Sequence, residues 1–375
     1  MANLFDYLKW RGDISVTHDA FNEIDALILS EISYLDLSEF VDSKCSAEGG
    51  TLGSLAKAFF SGTKRVRKPL GLIIPDSIFA VFKFASQTRR FSNMKVFSFV
   101  NDIDLAKRKQ FSATAFDTLD RHIFIAFRGT DDTIVGWREN FSMSYSDVVP
   151  AQEEAKKYLT AVASSRPLAP IRLGGHSKGG NLAMYSALNT KKEIREQICA
   201  IYCFDGPGFS KSITEAPNYF ALRSRIFSFV PENSVVGLLL SYDTSCRTVR
   251  SGGKGLYQHD AFTWKINVNR FDILPESSKS NLRNAQVIKN WLDACDRNRR
   301  REFCESLFEI LESTGAKTLT DLSVNSLAKA KEMIITINGF DKEKKRMISD
   351  VLSLLIKESI LSKGKKYLIK GDKKS

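Results

Sequence analysis

Residues 174–180 read Gly-Gly-His-Ser-Lys-Gly-Gly, with a short apolar run at 171–173 before them and a helix-forming run at 181–189 after them. A Gly-x-Ser-x-Gly pattern set between a strand and a helix describes a sharp strand–turn–helix connection. Such a turn forces the backbone of Ser177 into a strained conformation, and Gly175 and Gly179 avoid collisions that side chains would make with the crossing helix. The serine hydroxyl then projects at the C-terminal edge of a sheet, near a helix N-terminus whose free amides favour a developing anion. A chain that makes this turn must supply a sheet for it to end on and a helix that packs back against that sheet.

The middle of the chain, residues 96–270, supplies both. Short β-rich runs at 96–100, 112–116, 123–127, 171–173, 200–204, 225–229 and 248–250 are separated by Gly, Asp and Ser turns, and helical patterns fill 151–164 and 181–189. Strands alternating with helices imply an α/β domain with a mostly parallel sheet flanked by helices. Residues 1–95 read as an N-terminal mixed region, helical at 21–29 and basic at Lys64-Arg65-Val66-Arg67-Lys68. From 271 to 375 the strand signal stops, and a C-terminal helical extension is predicted over 285–312, 323–335 and 342–360. A hydrophobic fraction of 43% with 26% charged residues excludes a disordered, collagen-like or coiled-coil chain. The net charge of +12 favours anionic partners, and the last fourteen residues carry six lysines against one aspartate.

Six cysteines without a CxxC pair and only four histidines give no zinc pattern, so no metal or cofactor is expected. Dispersed cysteines read as reduced core residues, and the N-terminus lacks the profile of a secretory signal, so a cytoplasmic location is expected. The most apolar stretches are interrupted by Pro75, Asp76, Pro231 and Glu232 and are not expected to span a bilayer.

A serine hydroxyl needs a base, most often histidine. His176 adjoins Ser177, His122 sits in a turn before a strand, and His18 precedes the sheet. His259 follows the last strand-like segment, where the Ser–acid–His order of α/β-hydrolases places the base. The acid lies between the two, at a strand end. Asp205 closes the run 200–204 and Glu232 closes the run 225–230, and either carboxylate would hold the imidazole in its useful tautomer. Asp260 adjoins His259 too closely for a good Nδ1 contact. Acyl transfer also needs two donors for the oxyanion. The amide of Lys178, after the nucleophile, is one candidate. Thr130, in the turn that follows 123–127, is the other.

At these residues the chain resembles the class-three lipases: Phe127-Arg128-Gly129-Thr130 with Trp137, then Gly175-His176-Ser177-Lys178-Gly179-Gly180. More closely, it is similar to an uncharacterised bacterial family, a domain of unknown function, within that superfamily. Residues 1–12, Phe204-Asp205-Gly206-Pro207-Gly208-Phe209 and Gln258-His259-Asp260-Ala261-Phe262 carry that likeness. The resemblance implies an α/β-hydrolase fold with Ser177, His259 and Thr130 as nucleophile, base and oxyanion residue. It departs at the acid. The lipase position before Val230-Pro231 holds Ser228, whereas Asp205 looks like the strand-end aspartate of pancreatic-type lipases. It departs again at Lys178, which stands where an apolar residue is usual and is expected to set a cation beside the oxyanion hole.

The expected function is a serine carboxylic-ester hydrolase, lipase- or esterase-like, acting on an acyl ester or lipid through an acyl-enzyme. The alternative is a decayed hydrolase fold serving as a binding scaffold, with the C-terminal helices as its platform. The basic runs 64–68 and 297–301 and the tail suit peripheral contact with an anionic membrane; no nucleic-acid module accompanies them. Both the N-terminal region and the C-terminal helices are lid candidates.

Overall fold

The computed structural model describes residues 2–45, 49–61, 70, 74–232, 234, 236–237, 246–275, 296–323 and 326–349. Eight strands form one sheet in chain order: β1 (Gly50–Thr51), β2 (Lys95–Asp104), β3 (Lys109–Asp117), β4 (Ile123–Phe127), β5 (Ile171–His176), β6 (Ile198–Phe204), β7 (Ile226–Pro231) and β8 (Arg247–Val249). β1 to β4 pair antiparallel, and β4 to β8 pair parallel. The parallel half is the expected α/β-hydrolase core. Its strands are apolar on both faces, as a sheet covered on both sides requires. In β4, Ile123, Ile125 and Phe127 enter one hydrophobic cluster, while Phe124 and Ala126 enter the other.

Helices α1 (Leu4–Arg11), α2 (Glu23–Ile32), α3 (Leu52–Ser61) and α4 (Ser77–Ala85) precede β2. Between β4 and β6 come α5 (Ile134–Ser142), α6 (Pro150–Ser165), α7 (Lys178–Leu188) and α8 (Lys192–Gln197). Parallel strands laid down in one direction by right-handed crossovers carry their helices on one face. Accordingly α6 and α7 share a cluster with Ile125, Leu173, Ile201 and Cys203. The opposite face is left to the N-terminal helices. Leu4, Tyr7 and Leu8 of α1, Ile24, Leu27, Ile28 and Ile32 of α2, and Val81 and Phe82 of α4 join Phe124, Ala126, Phe204 and Phe229 in the second cluster. The N-terminal region therefore supplies one side of the core: α2 is buried along its whole length after Glu23. Asp25 fixes this layer by accepting from Tyr7 Oη at 2.8 Å and from Arg90 Nε at 2.6 Å.

Further helices follow the sheet, among them α9 (Arg297–Glu312), α10 (Leu319–Ser323) and α11 (Ser326–Gly339). Ile134 of α5 packs on Phe308 and Ala316, and Arg138 grips Glu312 with two bonds of 2.7 and 2.8 Å. The helix expected over 285–312 begins at Arg297 among the described residues. The basic run 64–68, the segment 276–295 and the basic tail lie outside the described residues.

Candidate active site

β5 ends at His176, α7 begins at Lys178, and Ser177 between them has φ 57° and ψ −132°. No helix or strand residue adopts that pair of angles; the turn imposes it, and such strain concentrates at functional sites. The glycines are obligatory for contact reasons. A Cβ on Gly179 would lie 2.0 Å from the Phe127 carbonyl oxygen, and one on Gly175 would lie 2.3 Å from the Gly179 backbone. Ser177 N donates to Phe204 O at 2.9 Å, which ties the elbow to the end of β6. Ser177 itself is 7% exposed.

Asp205 follows β6, has φ 49° and is fully buried. Its Oδ2 lies 2.6 Å from His259 Nδ1. Its Oδ1 accepts from the Ser234 hydroxyl and, at 3.1 Å, from the Gly237 amide. A carboxylate accepts only, so this contact places a proton on Nδ1 and leaves Nε2 of His259 with the lone pair a base needs. Glu232 sits elsewhere, at the end of β7, with Oε1 3.3 Å from the Ser251 amide. Ser228 pairs with Cys203 within the sheet, three residues before β7 ends at Pro231. His259 stands in the short turn Gly255–His259 against the elbow: its carbonyl oxygen is 2.8 Å from His176 Nε2, and the two rings are 4.6 Å apart. Among the described residues no hydrogen bond joins the Ser177 hydroxyl to His259. Catalytic bonds of this kind are often loose until substrate is bound.

The loop after β4 runs beside the elbow, since Phe127 pairs with Gly175 across the parallel ladder. Thr130 is buried there, and its Oγ1 has no hydrogen-bond partner among the described residues. Arg128 and Asp131 brace the loop at 3.2 Å, and Trp137 Nε1 donates to Asp131 O at 3.0 Å. The Lys178 cation expected beside this loop is buried one side chain away from it: Gln110, which holds the ammonium, donates from Nε2 to Gly129 O at 3.4 Å. The ammonium is fully buried beneath α7, bonded to Gln110 O at 2.7 Å, Gln110 Oε1 at 2.6 Å and Glu139 Oε2 at 3.0 Å. A long side chain leaving the first turn of α7 reaches the interior more easily than it doubles back to the serine.

His122 bonds to the Asp120 carbonyl and His18 to Ser15, so neither belongs to the site. Three residues the motifs did not single out do belong to its surroundings. Tyr34 Oη lies 3.2 Å and Glu31 Oε1 3.4 Å from His176 Nδ1, and Ser234 braces Asp205. Burial pushes the His176 imidazole well below 6.5, helped by His259. Burial, with Asp260 nearby, pushes the Glu31 carboxyl well above 4.5. Both shifts favour the neutral forms, so their proximity is read as a contact rather than an ion pair. Among the described residues no cluster of metal-binding side chains occurs, and no helix is long and apolar enough to cross a membrane.

The family model described as Mbeg1-like matches residues 85–309, more than half of the chain. Similar solved structures include M37 lipase, at 16% identity and TM-score 0.38, over 58% of this chain and 70% of that one. They also include Rhizomucor miehei lipase in a propeptide complex, at 14% identity and TM-score 0.35, over 51% and 65%. A third is Lip2 lipase from Yarrowia lipolytica, at 12% identity and TM-score 0.28, over 42% and 66%. No curated protein matches the chain.

Proposed function

The chain belongs to the Mbeg1-like family, a lipase-like family, and from that premise we propose that it is a serine hydrolase cleaving a carboxylic ester. The observation that carries this reading is the 2.6 Å contact between Asp205 and His259 beside a serine held at φ 57°. In the proposed reaction Ser177 Oγ attacks the acyl carbonyl while His259 Nε2 takes its proton. The tetrahedral intermediate collapses, and the leaving alkoxide receives that proton. Water then repeats the sequence on the acyl-enzyme, releasing the acid and restoring the serine. The Lys178 amide and Thr130 are the proposed oxyanion donors. A buried hydroxyl without a partner costs about 1–3 kcal/mol, and an oxyanion at Thr130 supplies the missing acceptor.

One observation favours the scaffold reading instead: the Ser177 hydroxyl and His259 are not hydrogen-bonded to each other. Labelling with a fluorophosphonate probe separates the two. We expect covalent labelling of the wild type that is abolished in Ser177→Ala and His259→Ala, both folded by circular dichroism. A folded wild type that takes no label in the presence of short-chain and long-chain ester surfaces establishes the scaffold. The same reading sets the protein in a reducing cytoplasm, supported by the free thiols of Cys45, Cys199, Cys203, Cys246 and Cys304. It also allows peripheral attraction to anionic lipid through the positive net charge.

A further inference from the structure

Besides the bond to Asp205, a second set of contacts ties His259 to the N-terminal helical layer. His259 is the last residue of a five-residue 3-10 turn, and its backbone would fray without anchors from outside. Two anchors are present. Trp264 Nε1 donates to the Gln258 carbonyl at 2.8 Å, and His176 Nε2 lies 2.8 Å from the His259 carbonyl. A carbonyl only accepts, so His176 carries its proton on Nε2. With the ring neutral, its Nδ1 is then an acceptor, and Tyr34 Oη donates to it across 3.2 Å. The Tyr34 hydroxyl also packs against Gly129, the residue before Thr130. Gly129 is required there: a Cβ on it would lie 2.0 Å from Tyr34 Oη and 2.7 Å from the His176 carbonyl oxygen. The other groups facing this ring are the His259 ring, 4.6 Å away, Glu31, 3.4 Å from Nδ1, and the edge of Trp264, with ring centres 6.4 Å apart.

We infer that His176 and Tyr34 are positioning residues: His176 holds the backbone of the base, and Tyr34 holds both His176 and the loop that carries Thr130. This deepens the serine-hydrolase reading and rests on it for the names of base and oxyanion residue. Neither side chain touches the acyl group. Their part is to keep two loops, the 255–259 turn and the 128–130 turn, in one register around Ser177. Both loops hang on a phenol two residues past the end of α2. The N-terminal layer therefore sets the geometry of the site as well as covering the sheet.

The test compares His176→Phe, His176→Gln and Tyr34→Phe in the full chain. Phenylalanine keeps a ring and loses the donor, whereas glutamine keeps an N–H donor. We expect His176→Phe to lower kcat on a nitrophenyl ester by about 10–100-fold with KM nearly unchanged, as a displacement of about 1 Å does. We expect His176→Gln to recover most of that loss, and Tyr34→Phe to lose about 3–10-fold, the worth of one neutral hydrogen bond. A second readout does not depend on turnover: the far-downfield proton resonance of His259 Nδ1, bonded to Asp205, shifts or broadens in His176→Phe and returns in His176→Gln. A reactive wild type whose kcat and resonance are both kept in His176→Phe overturns the positioning role and leaves the hydrolase standing. So does His176→Gln behaving like His176→Phe, since the donor would then be irrelevant. An unreactive wild type whose resonance still follows the His176 donor overturns the hydrolase and supports the positioning geometry. Should His176→Phe fail to fold, Tyr34→Phe, which removes a single hydroxyl, carries the same two readouts.

Discussion

Lys178 shows how strongly a residue's surroundings decide what changing it does. Its ammonium is buried against Glu139, which also accepts from the Gln110 amide at 3.0 Å and the Ala151 amide at 2.8 Å. Removing the cation leaves a buried carboxylate with two amides and no counter-charge, a loss of about 3–5 kcal/mol. Lys178→Met is therefore expected to lower the unfolding free energy from urea titration by that amount while the folded fraction still labels at Ser177. A cation acting at the oxyanion hole would give the reverse, unchanged stability and lost labelling. Buried neutral groups near the base have their own signature in pH. Glu31 titrates well above its ordinary 4.5 when folded, so the folded state binds its proton more tightly than the unfolded chain. The stability this confers is complete below about 4.5 and is lost as pH rises toward the folded value, by up to about 1.4 kcal/mol per unit. His176 runs the other way. Its imidazole is depressed below 6.5, so its contribution is present above 6.5 and is lost as pH falls. Glu31→Gln should therefore gain on wild type as pH is raised from 4.5 to 7.5, measured by urea unfolding at each pH. A difference that stays flat across that range would mean the Glu31 carboxyl is not desolvated. The sequence showed the hydroxyl, the imidazole and both candidate acids because each sits at a strand end or in a motif. It could not choose between Asp205 and Glu232, because that choice depends on which strand end the 255–259 turn faces. Tyr34 stood outside any reading, since it meets His176 from 142 residues away with no local pattern.

At the scale of elements, the period-two and period-3.6 patterns carried most of the parallel half. The run at 123–127 is β4 itself, and the run at 151–164 lies within α6. The antiparallel half was less legible, because β2 and β3 diverge at a register shift between Phe97 and Val100, where Ser98 takes φ 54°. The docking of the last helices left no trace in the sequence at all. The segment after α9 returns to the loop that follows Thr130. Ile134 N donates to Lys317 O at 2.9 Å, Leu319 N to Asp132 O at 2.9 Å, and Thr320 N to Asp132 Oδ2 at 3.0 Å. The C-terminal extension thus clamps the loop that the proposed oxyanion residue belongs to. Bonds to a charged acceptor are worth about 1.5–3 kcal/mol each. Asp132→Ala, which removes the carboxylate and keeps the backbone pairing, is expected to lower the rate of Ser177 labelling about 10-fold, the kinetic equivalent of about 1.4 kcal/mol. Its melting temperature should fall by only a few degrees. Labelling at the wild-type rate would mean that the clamp bears on stability alone.

For the whole molecule, the order of the strands dictates the role of the first ninety residues. Crossovers that all advance in one direction leave one face of the sheet without helices of its own, and a sheet with an apolar face cannot stand open to water. Phe124, Tyr202, Phe204 and Phe229 lie on that face, and α1, α2 and α4 close it. Reading along the chain, the N-terminal region looks separable, because its composition differs from that of the strands and its helices come before them. The physical reason it is not separable lies in the topology, which no local pattern reports. The consequence is quantitative. Ile24, Leu27, Ile28, Leu29 and Ile32 in α2 are all fully buried. Burial of five such side chains contributes about 7–15 kcal/mol as an upper estimate, at about 1.5–3 each. That equals the entire net stability of an ordinary domain, about 5–15 kcal/mol. Removing a lid opens an active site; removing this layer exposes the core. A chain lacking residues 1–45 is therefore expected to be insoluble or to lack a cooperative thermal transition, and to take no fluorophosphonate label. Leu27→Ala, a milder injury at a fully buried position, should cost about 2–5 kcal/mol. A soluble truncated chain that melts cooperatively and labels as fast as wild type, or faster, would show that the N-terminal helices are a cover after all.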